Sequence, residues 1–199
     1  MRAFLAVIPP EEVVDELMSF LEPRRDALAQ RGRWRWTRAE HLHLTLAFLP
    51  ELEEWREEGL IEAGSDWAER ATRVALSLAG AGAFPDPGSA RVLWAAVTEG
   101  SGRGEGTGLA AWARSLRAAA SRAGARVDGT RFSPHVTLAR AVGRPGPAGH
   151  LLQALDTLST SNWSAAEVHL VRSHLGQGPG GTPRYEVRHT WELSSLPTS

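Results

Sequence analysis

His41-Leu42-His43-Leu44-Thr45-Leu46-Ala47-Phe48-Leu49, closed by Pro50, decides how the first half of this chain is read. Side chains alternate along a strand, so Leu42, Leu44 and Leu46 face a core while His43 and Thr45 share the other face. Ninety-two residues on, Ser133-Pro134-His135-Val136-Thr137-Leu138 repeats the pattern, with Val136 and Leu138 inward and His135 and Thr137 outward. One His-x-Thr is weak evidence for a site. Two copies, each on an alternating strand in its own half of the chain, are informative.

Elements around the two strands fall into similar order. In the first half a strand over 2–8 precedes a helix over 10–30, whose Val13, Val14, Leu17, Leu21 and Leu28 lie near one face. Trp34 to Thr37 leads into the strand over 41–49, and a charge-rich helix follows over 51–71. The second half has strands over 73–78 and 92–98, a helix over 109–123 and the strand over 135–141. A further helix is expected over 148–158. Strands over 167–175 and 184–193 flank a loop over 176–182 as a hairpin. Gly- and Pro-rich stretches over 80–90 and 99–108 read as turns. Mixed strands and helices with hairpin-like links predict an α+β fold: two similar antiparallel lobes with helices outside and a central cleft carrying both motifs. Residues 1–199 read as one domain, with 194–199 as a frayed tail.

Composition narrows the chemistry. The chain has no Cys, which removes disulfides, thiolate nucleophiles and Cys-based metal sites. All 22 basic residues are Arg, so Schiff-base chemistry and a P-loop lysine are excluded, while forked guanidinium groups suited to phosphate are plentiful. A net charge of −1 means that any nucleic-acid contact comes from local clusters. No apolar run approaches the roughly 18–20 residues of a membrane-spanning helix, and Pro9-Pro10-Glu11-Glu12 interrupts the apolar start too early for a secretory signal. A cytoplasmic monomer is the expectation.

Phosphodiester cleavage needs one group to take a proton from the attacking oxygen and another to protonate the departing one. Imidazole serves both roles near neutral pH. His43 and His135 are the candidate pair. Thr45 and Thr137 can donate hydrogen bonds to non-bridging phosphoryl oxygens, without metal or cofactor. His41 and His43 also form a His-x-His pair that metal sites use, with His135 as a conceivable third ligand. Against that reading, no Asp or Glu stands at matching offsets and the repeated Thr has no part in such a site. His150, His169, His174 and His189 read as structural or exposed. The segment Arg31-Gly32-Arg33-Trp34-Arg35-Trp36-Thr37-Arg38 alternates basic and aromatic residues, as an edge strand or as a guide for an RNA backbone with Trp36 as a base-stacking candidate. The Gly-rich loops over 100–108 and 176–181 lack P-loop spacing, and no Gly-x-Ser-x-Gly elbow occurs.

These residues resemble the two-histidine phosphoesterase superfamily, and within it the RNA 2',3'-cyclic phosphodiesterases, also called 2'-5' RNA ligase-like proteins. The likeness runs through Met1-Arg2-Ala3-Phe4-Leu5-Ala6, Trp36, the motifs His43-Leu44-Thr45-Leu46 and His135-Val136-Thr137-Leu138, Phe48-Leu49, Arg91-Val92-Leu93-Trp94, Phe132, Ala139-Arg140, Ser173-His174-Leu175 and Tyr185. The resemblance implies a bilobal fold and hydrolysis of RNA 2',3'-cyclic ends to 2'-phosphomonoesters. His43 would be the proton donor to the 3'-oxygen and His135 the acceptor from water. RNA ligation through a 2'-5' bond and simple RNA-end binding are the alternatives, and small cyclic nucleotides are substrates to be weighed beside RNA. The resemblance also places Arg140 at the phosphate and Phe48 where a base could stack. Strict alternation disagrees on both. It sets Arg140 opposite His135 unless a bulge turns it, and it groups Phe48 with the core leucines.

Overall fold

The computed structural model describes residues 1–28, 33–100 and 108–194. Arg31 and Gly32 of the basic segment, most of the 100–108 loop, the tail beyond Ser194 and the side chain of Leu28 lie outside the described residues. The strands are β1 (Ala3–Val7), β2 (Trp34–Trp36), β3 (Leu44–Leu49), β4 (Val74–Phe84), β5 (Val92–Glu99), β6 (His135–Ala141), β7 (Trp163–Ala165), β8 (Glu167–His174) and β9 (Arg184–Glu192). The α-helices are α1 (Glu11–Leu28), α2 (Glu57–Ala68), α3 (Leu109–Arg122) and α4 (Gly149–Leu155). Among the described residues no helix is long and apolar enough to cross a membrane.

The expected α+β, two-lobed antiparallel arrangement holds, and a single sheet runs through both lobes in the order β7-β4-β5-β6-β3-β1-β8-β9, with β2 added beside β6. All its ladders are antiparallel. The arms join at β3 and β6 through one register pair, Leu44↔Val136. His43 immediately precedes Leu44 and His135 immediately precedes Val136, so the two motifs flank this seam. Helices cover one face of the sheet. Val13, Leu17 and Leu21 of α1, Leu60 and Trp67 of α2 and Leu109, Trp112 and Leu116 of α3 share one apolar core with Leu44, Leu46, Val136 and Leu138. Leu and Val at motif positions therefore anchor the strands from behind, and the opposite face stays open.

Several boundaries differ from the sequence reading. The 80–90 stretch is not all turn, because β4 continues to Phe84. Gly80, at φ 76°, sits in an irregular step between Leu78 and Ala81, after which pairing with β5 resumes. Gly82 then lets the strand lie close under the Trp94 indole, where a Cβ would come within 2.2 Å of the ring. The helix expected from residue 51 begins as a 3-10 turn over Glu54–Arg56 and becomes α2 only at Glu57. Ala39–His41 also forms a 3-10 turn, so β3 starts at Leu44 rather than at His41. The short β7 has no counterpart in the sequence reading. Three residues give too little period for a strand to be recognised.

Candidate active site

Both cleft histidines are oriented by the same device. His43 Nδ1 lies 2.7 Å from the His41 carbonyl, and His135 Nδ1 lies 2.7 Å from the Ser133 carbonyl. A carbonyl only accepts, so each Nδ1 carries a hydrogen and donates it. In the neutral ring this leaves Nε2 unprotonated, ready to take a proton, and in the imidazolium Nε2–H is the group that can give one. His43, Thr45, His135, Thr137 and Arg140 line one cavity of about 740 Å³.

Aromatic rings hold the imidazoles in place and shield them. Phe4 stacks on His43 with centroids 4.6 Å apart and planes 22° from parallel, and Tyr185 meets His43 edge-on at 5.5 Å. Phe84 meets His135 edge-on at 5.0 Å. Burial therefore pushes the His43 imidazolium down to about 4, with repulsion from Arg140, His41 and His135 adding to the effect and the bond to the His41 carbonyl opposing it. His135 is lowered for the same main reason, also with a contribution from Arg140. Burial raises the Tyr185 phenol, while Arg140 and Arg2 act against the shift.

Alternation fails at the same point in both motif strands. In β3 the register against β1 runs Ala6↔Thr45 and then Leu5↔Ala47, which makes Leu46 the extra residue of a bulge. In β6 the register against β5 runs Trp94↔Thr137 and then Leu93↔Ala139, which makes Leu138 its counterpart. Each bulge leaves two consecutive side chains buried, Leu46 with Ala47 and Leu138 with Ala139. Beyond it the strand's phase is inverted. Phe48 thus leaves the expected core position and enters the cleft, under the Arg2 guanidinium at 4.5 Å. Arg140 likewise turns onto the face of His135 and Thr137. Partners outside the β1–β3 and β5–β6 ladders satisfy the bulged carbonyls: Arg117 Nε donates to Leu46 O at 3.1 Å, and Thr37 N donates to Leu138 O at 2.8 Å.

Trp34 and Trp36 pack partly against the core, with Arg35 exposed between them. Trp36 also borders a second cavity that adjoins the first. His41 and His43 both border that second cavity. The His41 ring lies 4.7 Å from that of Tyr185, and among the described residues no group of three His, Asp or Glu is placed to hold a cation. His169 bonds Thr190, His174 pairs with Glu186, His189 packs on Trp191 and His150 is exposed, all consistent with structural or surface roles. Phe4 and Phe84 are cleft residues that periodicity missed, since an apolar ring beside a site reads as core in sequence.

Residues 9–177 match the family described as the 2'-5' RNA ligase superfamily. The chain belongs to that superfamily. Among curated relatives, the RNA 2',3'-cyclic phosphodiesterase of Thermus thermophilus is 33% identical over 97% of this chain and 90% of its own length, and that of Aeropyrum pernix is 34% identical over 82% and 92%. The chain spans 58% of the length of a Geobacillus stearothermophilus RNA 2',3'-cyclic phosphodiesterase, to which it is 28% identical. Solved structures agree with the architecture. TT0787 of Thermus thermophilus superposes with a TM-score of 0.73 at 31% identity, covering 97% of this chain and 98% of that one. E. coli LigT complexed with 3'-AMP gives 0.69 at 26%, with the same coverages.

Proposed function

We propose that this superfamily member is an RNA 2',3'-cyclic phosphodiesterase that hydrolyses the cyclic end to a 2'-phosphomonoester by acid/base catalysis at His43 and His135. The observation that carries the reading is the matched pair of imidazoles, each with Nδ1 committed to a main-chain carbonyl and Nε2 free for the cleft. The names of the Thermus and Aeropyrum relatives support the same activity.

In the proposed reaction His135 Nε2 removes a proton from water as its oxygen bonds to phosphorus. The P–O3' bond breaks and His43 Nε2–H protonates the departing 3'-oxygen. Thr45, Thr137 and Arg140 hold the non-bridging oxygens, the Arg fork being suited to two of them at once. Phe48 offers a ring for the terminal base, with Arg2 covering one side of it. No step calls on a metal. Replacing water with a 5'-hydroxyl gives the ligation chemistry on the same groups. Both arms of the sheet act as one catalytic unit, because each contributes one histidine to the cleft, and a monomer suffices.

Phosphorus NMR of a short RNA ending in a 2',3'-cyclic phosphate, with excess EDTA, tests this. Conversion to the 2'-phosphomonoester by wild type, and loss of conversion in His43→Ala and His135→Ala, is the expected result. Full activity in both variants, or no activity in EDTA, overturns it.

A further inference from the structure

The cavity next to the catalytic one has a volume of about 370 Å³ and shares His43, Thr137, Arg140, Pro183 and Tyr185 with it. Its remaining wall comes chiefly from β2 and the turn that follows, with Arg35 and Arg38 as its additional charges. Arg35 and Arg140 are register partners in the β2–β6 ladder. Directly opposed residues of antiparallel strands lie on one face, with Cα atoms about 5 Å apart. Two like charges placed there repel unless an anion lies between or beside them. Neither guanidinium has an ion-pair partner among the described residues. Arg38 is held only by an exposed contact to Glu40 at 3.0 Å, a kind of pair that contributes little and exchanges readily.

Building on the hydrolase reading, we propose that this second cavity is a subsite for the next phosphodiester of the RNA chain, one nucleotide upstream of the cyclic end, with Arg35 as its main contact and Arg38 in support. Arg140 holds the reacting phosphate and Arg35 takes the neighbouring one, so a single anionic backbone relieves the repulsion between them. The favoured substrate is then an oligonucleotide end rather than a free cyclic mononucleotide. A mononucleotide has no second diester and leaves the subsite empty.

The test compares 2',3'-cyclic AMP with a tetranucleotide carrying the same cyclic end, using wild type and the double variant Arg35→Gln/Arg38→Gln. Wild type should prefer the tetranucleotide, and the double variant should lower the ratio of the two kcat/KM values about tenfold, mainly through KM. The salt slope of log kcat/KM for the tetranucleotide should flatten by about 0.7 for each single-strand phosphate that the variant no longer neutralises. Affinity for a tetranucleotide ending in 2'-phosphate, read by fluorescence anisotropy, should fall in parallel. An unchanged kcat/KM ratio, or equal anisotropy affinities, overturns the subsite. Absence of turnover with both substrates overturns the hydrolase reading instead, and the anisotropy comparison then still decides whether the subsite exists.

Discussion

Phe48 and Arg140 occupy equivalent places in the two arms of the sheet, each five residues beyond a cleft histidine and each turned into the cleft by a one-residue bulge at Leu46 or Leu138. Equivalent backbone thus delivers different chemistry: an aromatic face from one arm, a guanidinium fork from the other. The arms are alike in how they aim side chains and unlike in what they aim.

Arg140 lies close enough to both histidines to lower each one's affinity for a proton. Replacing it with Ala should raise both imidazolium pKa values, seen by histidine proton NMR, and reduce kcat/KM for a cyclic-ended RNA by about 10–100-fold, on the scale of one charge-assisted hydrogen-bonded pair with phosphate. Arg140→Lys should keep the histidine titration low yet recover only part of the activity, because Lys cannot reproduce the fork.

Either histidine changed to Ala should lower turnover by about 10²–10⁴, the range for a general acid or base. The double variant should lose less than the product of the two single losses, as groups acting in one step do. Steady-state rates on one substrate, with unfolding curves showing that the variants remain folded, check both statements.

With the His43 imidazolium at about 4 and His135 also below 6.5, the form that the proposed reaction needs, His43 protonated and His135 neutral, reaches its greatest population on the acid side of 6.5. The kcat/KM profile should therefore peak below pH 6.5 and fall on the alkaline side. Bound substrate anion favours the imidazolium, so the profile of kcat should extend to higher pH. A kcat/KM optimum above pH 7.5 would contradict this.

Stability should move in the opposite sense. Between pH 6.5 and about 4 the unfolded chain binds a proton at residue 43 that the fold disfavours, so the ligand-free protein loses stability as pH falls through that window. Phe4→Ala, by admitting water to the stacked face, should raise the His43 pKa and flatten the loss, which denaturant midpoints across the pH range will show.

Arg117 reaches from α3 to the Leu46 carbonyl at the bulge and to the Thr130 carbonyl at 2.8 Å. Arg117→Met should cost about 1–3 kcal/mol, since an acceptor at the bulge loses its charged donor. It should also raise KM more than it lowers kcat, because Phe48 is the residue whose direction depends on that bulge.

Much of the fold and both histidines were legible because alternation is a property of local sequence. His43, Thr45, His135 and Thr137 each stand next to a buried Leu or Val, before any irregularity can intervene. Legibility stopped at Leu46 and Leu138. A bulge depends on register against a distant strand and on donors such as Arg117 and Thr37, none of which is written in the motif. Hence periodicity alone groups Phe48 with the core and Arg140 with the far face, although the family resemblance places both near the substrate.

The carbonyls that orient the two rings belong to His41 and Ser133, and a carbonyl is present whatever side chain its residue carries. Enzymes that hold a histidine with an aspartate can lose that hold through a single codon change. Here the orienting bond survives any substitution at 41 or 133 that preserves the local backbone, although at 41 the side chain also helps to set the His43 titration and packs on Tyr185.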